Sequence, residues 1–144
     1  MSGLPQLVPE LDVSSLSASL RFYEEVLGFA VAYSRPDEGF AYLEHGGAHL
    51  MLQRAAGPGR RFRTAALDRP HGRGVNFQLE VTDVAAVRDR SLSLGYELVV
   101  DLEDRWYRTG RDESGQRQLV VADPDGYLWR PFQRLGRRPV DTPV

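Results

Sequence analysis

The chain has 144 residues, 42% of them hydrophobic and 26% charged, with a net charge of −2. That suits one ordinary globular domain or two joined half-domains, and it offers no global field to attract nucleic acid. With no cysteine, and with arginine for every one of the 18 basic residues, disulfides, thiolate metal sites, thiol nucleophiles and lysine Schiff bases are all excluded.

The opening MSGLPQLVPELDV has neither a basic n-region nor a long apolar run, so no signal peptide is expected. No later stretch approaches ~20 apolar residues, the length a membrane span needs. The expectation is a soluble, cytoplasmic protein. Residues 6–13 alternate Leu7, Pro9, Leu11 and Val13 with Gln6, Val8, Glu10 and Asp12, which predicts a strand, with Pro9 favouring an edge or a bulge. Ser14, Ser15 and Ser17 offer caps, Leu16, Leu20, Tyr23 and Leu27 recur at helical spacing with Phe22 nearby, and Gly28 stops the helix. Strand-like runs follow at 29–34, 40–43 and 49–53, the last two joined by Gly46-Gly47. Residues 54–72 are rich in Gly, Pro and Arg without periodicity and predict a connector.

The pattern then repeats. Val75, Phe77, Leu79 and Val81 alternate with Asn76, Gln78 and Glu80, Thr82-Asp83 supplies a cap, Val84, Val87 and Leu94 mark a helix, and Gly95 stops it. Strands are predicted at 97–102, 118–121 and 128–133, with the turn Asp123-Pro124-Asp125-Gly126 before the last. LDVSSLSASLRFYEEVLGF and LEVTDVAAVRDRSLSLGY match with one gap. The chain therefore reads as α+β, two βαβββ modules over 5–53 and 73–133 within one domain of residues 1–135. Residues 103–117 read as a polar loop, and 136–144 as a loosely held tail.

This order, the Leu-Gly-aromatic after each helix, the glycine hairpin and DPDGYLWRPFQ resemble the vicinal oxygen chelate superfamily, which includes glyoxalase I, extradiol dioxygenases and the fosfomycin and bleomycin resistance proteins. LVPELDVSSLSASLRFY, GFAYLEHGGAHLML and RWYRTGRDESGQRQLVVADPDGYLW look most like the bleomycin resistance branch. The resemblance covers about residues 5–135. It implies curled mixed sheets enclosing a ligand cavity, a small-molecule ligand and a homodimer.

Enzymes of that superfamily hold a divalent metal with His, Glu or Gln. Counting onto the family's ligand positions gives Val8, Met51, Asn76 and Arg130. Val and Met are poor donors to a hard cation, and Arg130 puts a cation where the family has a carboxylate. No metal, no other cofactor and no catalytic residue is therefore expected. His45 and His49 flank the glycine hairpin and could chelate across it with Glu44. Ordinary turn histidines are the plainer reading.

By period two, the face holding those positions also carries Glu10, Asp12, Gln53, His49, Gln78, Glu80, Leu128 and Phe132. It could line a cavity or be the solvated side of a sheet. In the drug-binding relatives, aromatics at places like Phe40, Trp106 and Tyr107 clamp flat rings. Trp106 can equally be a core residue, and the acids around it a solvated surface. The resemblance thus implies a ligand set of Phe40, Trp106, Tyr107, Met51, Glu10, Asn76, Gln78, Glu80, Arg130 and Phe132. It implies metal-independent sequestration of a bleomycin-like antibiotic, a cationic glycopeptide. Arginines 105, 108, 111 and 117 would oppose a cationic drug and suit an anionic ligand. The alternatives are an enzyme with a displaced metal site or a metal-free one with Glu10 or Glu80 as base and Arg130 as partner, and a carrier for another natural product.

Overall fold

In the computed structural model, which describes residues 5–140, the chain builds two four-stranded sheets, each with one helix. It divides into two units. One holds the chain up to Arg73 together with Asp123–Gly126, and the other holds Gly74–Ala122 and the chain from Tyr127 onward.

In the first unit the elements are β1 (Glu10–Val13), α1 (Leu16–Glu25), β2 (Ala30–Arg35), β3 (Phe40–His45) and β4 (Ala48–Arg54). The sheet order is β1-β4-β3-β2, with β1 parallel to β4 and the other pairs antiparallel. Ser15 caps α1 by accepting from the Ala18 N–H at 3.2 Å. Gly28, at φ +80°, turns the chain out of the helix, and the Phe29 N–H reaches the Tyr23 carbonyl at 2.8 Å. Phe22 and Tyr23 are fully buried, as are Val13, Leu43, Leu50 and Leu52 of the sheet. These alternate positions of β1, β3 and β4 make the helix-side face.

Strand β1 is shorter than the alternation predicts. Val8 lies outside it, because Pro9 has no N–H to extend the ladder. Its carbonyl still accepts from the Met51 N–H at 2.9 Å. The connector forms no regular element. The Arg61 guanidinium organises its start, donating to the carbonyls of Arg54, Pro58 and Gly59. The Asp123–Gly126 turn is also built into this unit. Tyr23 donates its hydroxyl proton to Asp123 at 2.6 Å, the Ser14 N–H reaches Asp125 at 3.0 Å, and the His71 N–H reaches the Asp125 carbonyl at 2.9 Å.

The second unit contains β5 (Asn76–Glu80), α2 (Val84–Ser93), β6 (Leu98–Thr109), β7 (Asp112–Ala122) and β8 (Leu128–Pro139), in sheet order β5-β8-β7-β6. Strand β5 runs parallel to β8. Asp83 caps α2 by accepting from the Ala86 N–H. Val84, Val87 and Ser91 form its buried side, and Leu79, Leu119, Val121 and Trp129 are buried in the sheet. Leu94, predicted on the helix, is instead its C-cap and partly exposed.

Two predictions are corrected here. The segment read as a polar loop is a hairpin, in which Asp104 pairs with Arg117, Trp106 with Gly115 and Tyr107 with Ser114. The segment read as a loose tail is strand as far as Pro139, where Gly136 pairs with Gly115 and Arg138 with Glu113. Both sides of these strands are polar, so no apolar alternation announces them. Cross-strand charge pairs and the Trp106–Gly115 contact hold them instead. Residues 141–144 of the expected tail lie outside the described residues.

Candidate functional site

Ladder partners share a sheet face. In the second unit the pairs Asn76–Leu128, Gln78–Arg130, Glu80–Phe132 and Gln118–Phe132 therefore place these side chains together, away from Leu79 and Trp129. A concavity of about 370 Å³ opens here, with Val99, Val100, Val120 and Leu128 as its apolar walls and Asn76, Gln118 and Arg130 as its polar groups. Val99 and Val100 are consecutive. The ladder between β6 and β7 is irregular at this point, which lets both reach the same space.

The polar groups are ordered by a chain of amides. Gln116 Nε2 donates to Gln78 Oε1 at 3.3 Å and to Gln118 Oε1 at 3.1 Å. Gln118 Nε2 donates to Glu103 at 3.3 Å and to the Tyr107 hydroxyl at 2.7 Å. Arg130 Nη1 donates to the same hydroxyl at 3.3 Å. A carboxylate can only accept, so Glu103 fixes which way the Gln118 amide points. Gln116 and Gln118 are buried. Arg130 Nε is buried with no hydrogen-bond partner, and among the described residues Arg130 has no carboxylate within ion-pair distance.

The remaining residues expected in this unit are placed differently. Glu80 is tied to Arg134 at 2.8 Å. Phe132 is buried, with the Arg134 guanidinium 5.4 Å from its ring. Trp106 points away from Tyr107, as consecutive strand residues must. Its ring lies on Gly115, and the Arg138 guanidinium stands 4.0 Å from its centre. The acids around it are matched to arginines: Asp104 to Arg117 at 2.8 Å, Glu113 to Arg138 at 3.2 Å and Asp112 to Arg137 at 3.5 Å. Arg88 grips Asp101 with two contacts of 2.6 and 3.1 Å and, with the Leu102 N–H, holds its carboxyl down to about 2. Arg117 likewise holds Asp104 below the ordinary range.

In the first unit, Glu10 pairs with Met51 and Met51 with Tyr42, while Phe40 pairs with Gln53. Phe40 is buried beneath the Arg35 guanidinium at 4.0 Å, with the Tyr33 ring tilted beside it at 6.1 Å. Partial burial and the neighbouring Asp12 carboxylate raise Glu10, against the pull of Arg35 and Arg61. Tyr33 stacks on Tyr42 at 5.1 Å and 10°, and the Tyr42 hydroxyl meets His49 Nδ1 at 2.7 Å. His49 lies opposite Glu44, but His45 lies opposite Ala48. The two histidines therefore project from opposite faces and cannot chelate one ion across the hairpin. His45 instead packs against Phe29, with ring centres 5.6 Å apart.

The residues at the positions where the resemblance implies a metal do not suit a divalent cation. Val8 and Met51 bring no hard donor, Asn76 brings one neutral oxygen, and Arg130 is a cation. Among the described residues, no three His, Cys, Asp or Glu side chains gather as a metal site would require. No helix among them is long and apolar enough to cross a membrane.

The sequence reading missed Gln116, the three cavity valines and the Tyr33–Tyr42 stack. Gln116 and Val120 stand two residues either side of Gln118 on one strand, so a period of two counted from Gln118 reaches both. Val99 and Val100 could not, because an irregular register breaks the period of two.

A family model described as the Glyoxalase/Bleomycin resistance protein/Dioxygenase superfamily matches residues 6–130. No curated protein matches the chain. Among solved structures, TioX from Micromonospora sp. ML1 is similar at 25% identity, with 91% of this chain and 99% of that chain covered and a TM-score of 0.69. Virulence protein STM3117 from Salmonella typhimurium is similar at 25% identity, with 92% and 98% covered and a TM-score of 0.64. A protein from Alicyclobacillus acidocaldarius described as glyoxalase/bleomycin resistance protein/dioxygenase is 17% identical, with 90% of each chain covered and a TM-score of 0.58, and it speaks for the fold alone. With the family model spanning most of the chain and two βαβββ units beneath it, the protein belongs to the Glyoxalase/Bleomycin resistance protein/Dioxygenase superfamily.

Proposed function

We propose that this protein binds a small molecule without the help of a metal and acts by sequestering it. The observation that carries this reading is Arg130. It stands at a position where metal-dependent members of the superfamily have a carboxylate, and it lines a 370 Å³ concavity with apolar walls and oriented amides. That size and that mix of walls and convergent polar groups suit a small-molecule site.

The specific ligand that the sequence resemblance favours is a bleomycin-like antibiotic. Oriented amides support the peptide-like part of such a drug. The acids that would greet its cationic part are already matched to arginines. Titration calorimetry with bleomycin, copper-free and copper-loaded, tests the drug. Saturable stoichiometric heat supports it, and no heat at high micromolar drug excludes it. Metal analysis of untagged protein tests metal independence, and more than about a tenth of an equivalent of zinc, nickel, iron or manganese rejects it. The superfamily's common dimeric state is proposed here too, and light scattering decides it.

A metal-free enzyme is the second reading, favoured by Glu10. Its carboxyl is raised by burial and by Asp12, the direction a general base working near neutrality requires. Multiple turnovers of a glyoxalase-type substrate that Glu10→Gln abolishes would establish it over sequestration.

A further inference from the structure

We infer that the ligand entering the concavity of the second unit carries an oxyanion, such as a carboxylate, on an apolar body, and that Arg130 and Tyr107 receive that oxyanion. This rests on reading the concavity as the ligand site, and it narrows the class of ligand.

The guanidinium of Arg130 donates to the Tyr107 hydroxyl. No protein anion balances it among the described residues, and its Nε lies buried and unpartnered. The nearby carboxylates are engaged elsewhere, Glu103 by Gln118 and Arg105 and Glu80 by Arg134. A half-buried cation without a counter-charge is costly to keep, and an anionic ligand removes the cost.

Tyr107 adds a second donor. Its oxygen accepts from Gln118 Nε2 and from Arg130 Nη1, and the Glu103 carboxylate fixes the Gln118 amide in the orientation that makes this so. With both acceptor positions used, the phenolic O–H has its proton to give. A fixed cation and a free O–H side by side suit an oxyanion better than a neutral amide or a cation. The four aliphatic walls have no hydrogen-bonding side-chain atoms, so the rest of the ligand is apolar where it meets them.

Two dyes that share a ring system test this, 8-anilinonaphthalene-1-sulfonate and its uncharged counterpart N-phenyl-1-naphthylamine. The wild-type protein should bind the sulfonate more tightly. Arg130→Met should weaken the sulfonate by roughly tenfold or more and leave the neutral dye within about twofold. Tyr107→Phe, which keeps the guanidinium, should weaken the sulfonate by several-fold, and it carries the test if the methionine variant does not fold. If both dyes bind and neither substitution changes their ratio, the oxyanion inference is overturned while the pocket stands. If neither dye binds, the concavity is not a ligand site, and the proposed function falls with the inference.

Discussion

The indole of Trp106 rests on the bare α-carbon of Gly115, so closely that a Cβ there would come within 2.7–2.8 Å of three of its ring carbons. These two residues face each other across the β6–β7 hairpin. Only glycine leaves room for the ring, and Arg138 stacks on it at 4.0 Å. Gly115→Ala should therefore displace the indole and cost about 1–3 kcal/mol of stability. Chemical denaturation gives the cost and tryptophan emission the displacement. An unshifted spectrum with unchanged stability would show that the close packing is not required.

The Arg88–Asp101 pair makes a second prediction. Asp101 sits at about 2 because Arg88 and the Leu102 N–H both favour its charged form. A lowered carboxyl stabilises the native state above the ordinary value of 3.8, and that contribution fades as pH falls from there towards 2. Arg88→Gln should move the Asp101 midpoint up towards the ordinary range, as followed by carboxyl NMR. The effect on stability at neutral pH should be small, because the carboxylate is exposed and solvent screens the pair. A midpoint that stays put would mean that the backbone N–H alone holds it down.

Glu10 behaves in the opposite sense. Burial and Asp12 raise its carboxyl above the ordinary 4.5, so the native state binds that proton more tightly than the unfolded chain does. Stability from this group falls as pH rises through the ordinary range to the raised value, and it stays reduced above. Glu10→Gln should raise the melting temperature at pH 7, and the gap should close as pH drops below about 4. A variant less stable than the wild type at pH 7 would mean that the attraction of Arg35 and Arg61 outweighs burial and Asp12 at Glu10.

A fourth prediction concerns Tyr23, which is fully buried and donates to Asp123 at 2.6 Å. Tyr23→Phe leaves the ring packing in place and deprives a buried carboxylate of a donor. It should cost about 1–3 kcal/mol. A cost below about 0.5 kcal/mol in urea unfolding would indicate that Asp123 draws its stability from other neighbours.

Much of this protein could be read from its residues because apolar side chains carry a period. Leu11, Val13, Leu50, Leu52 and Trp129 fall at alternate positions of their strands, and all are buried. Ser15, Asp83, Gly28 and Gly95 mark helix ends by chemistry that acts within a few residues. The polar hairpin and the far end of the last strand escaped because Asp104–Arg117 and Glu113–Arg138 are favourable only once the strands are paired. The candidate site was legible in part. Asn76, Gln78, Tyr107 and Arg130 meet on one face or through one hydrogen-bond chain. Trp106 was expected to stack on a ligand, yet its ring meets Gly115 and Arg138. The parity that decided this depends on where the β6–β7 ladder slips, and no residue announces the slip.

The Asp123–Gly126 turn makes the duplicated halves inseparable as pieces of chain. It belongs to the first unit, although the strands on either side of it belong to the second. A fragment ending near Arg73 would hold every strand of the first sheet and still lack the carboxylates that receive the Ser14 N–H and the Tyr23 hydroxyl. Recombining one half of this gene with a relative's would import a foreign version of that turn along with the second half. Compatibility at Ser14, Tyr23 and His71, more than resemblance between the sheets, would decide which chimeras fold.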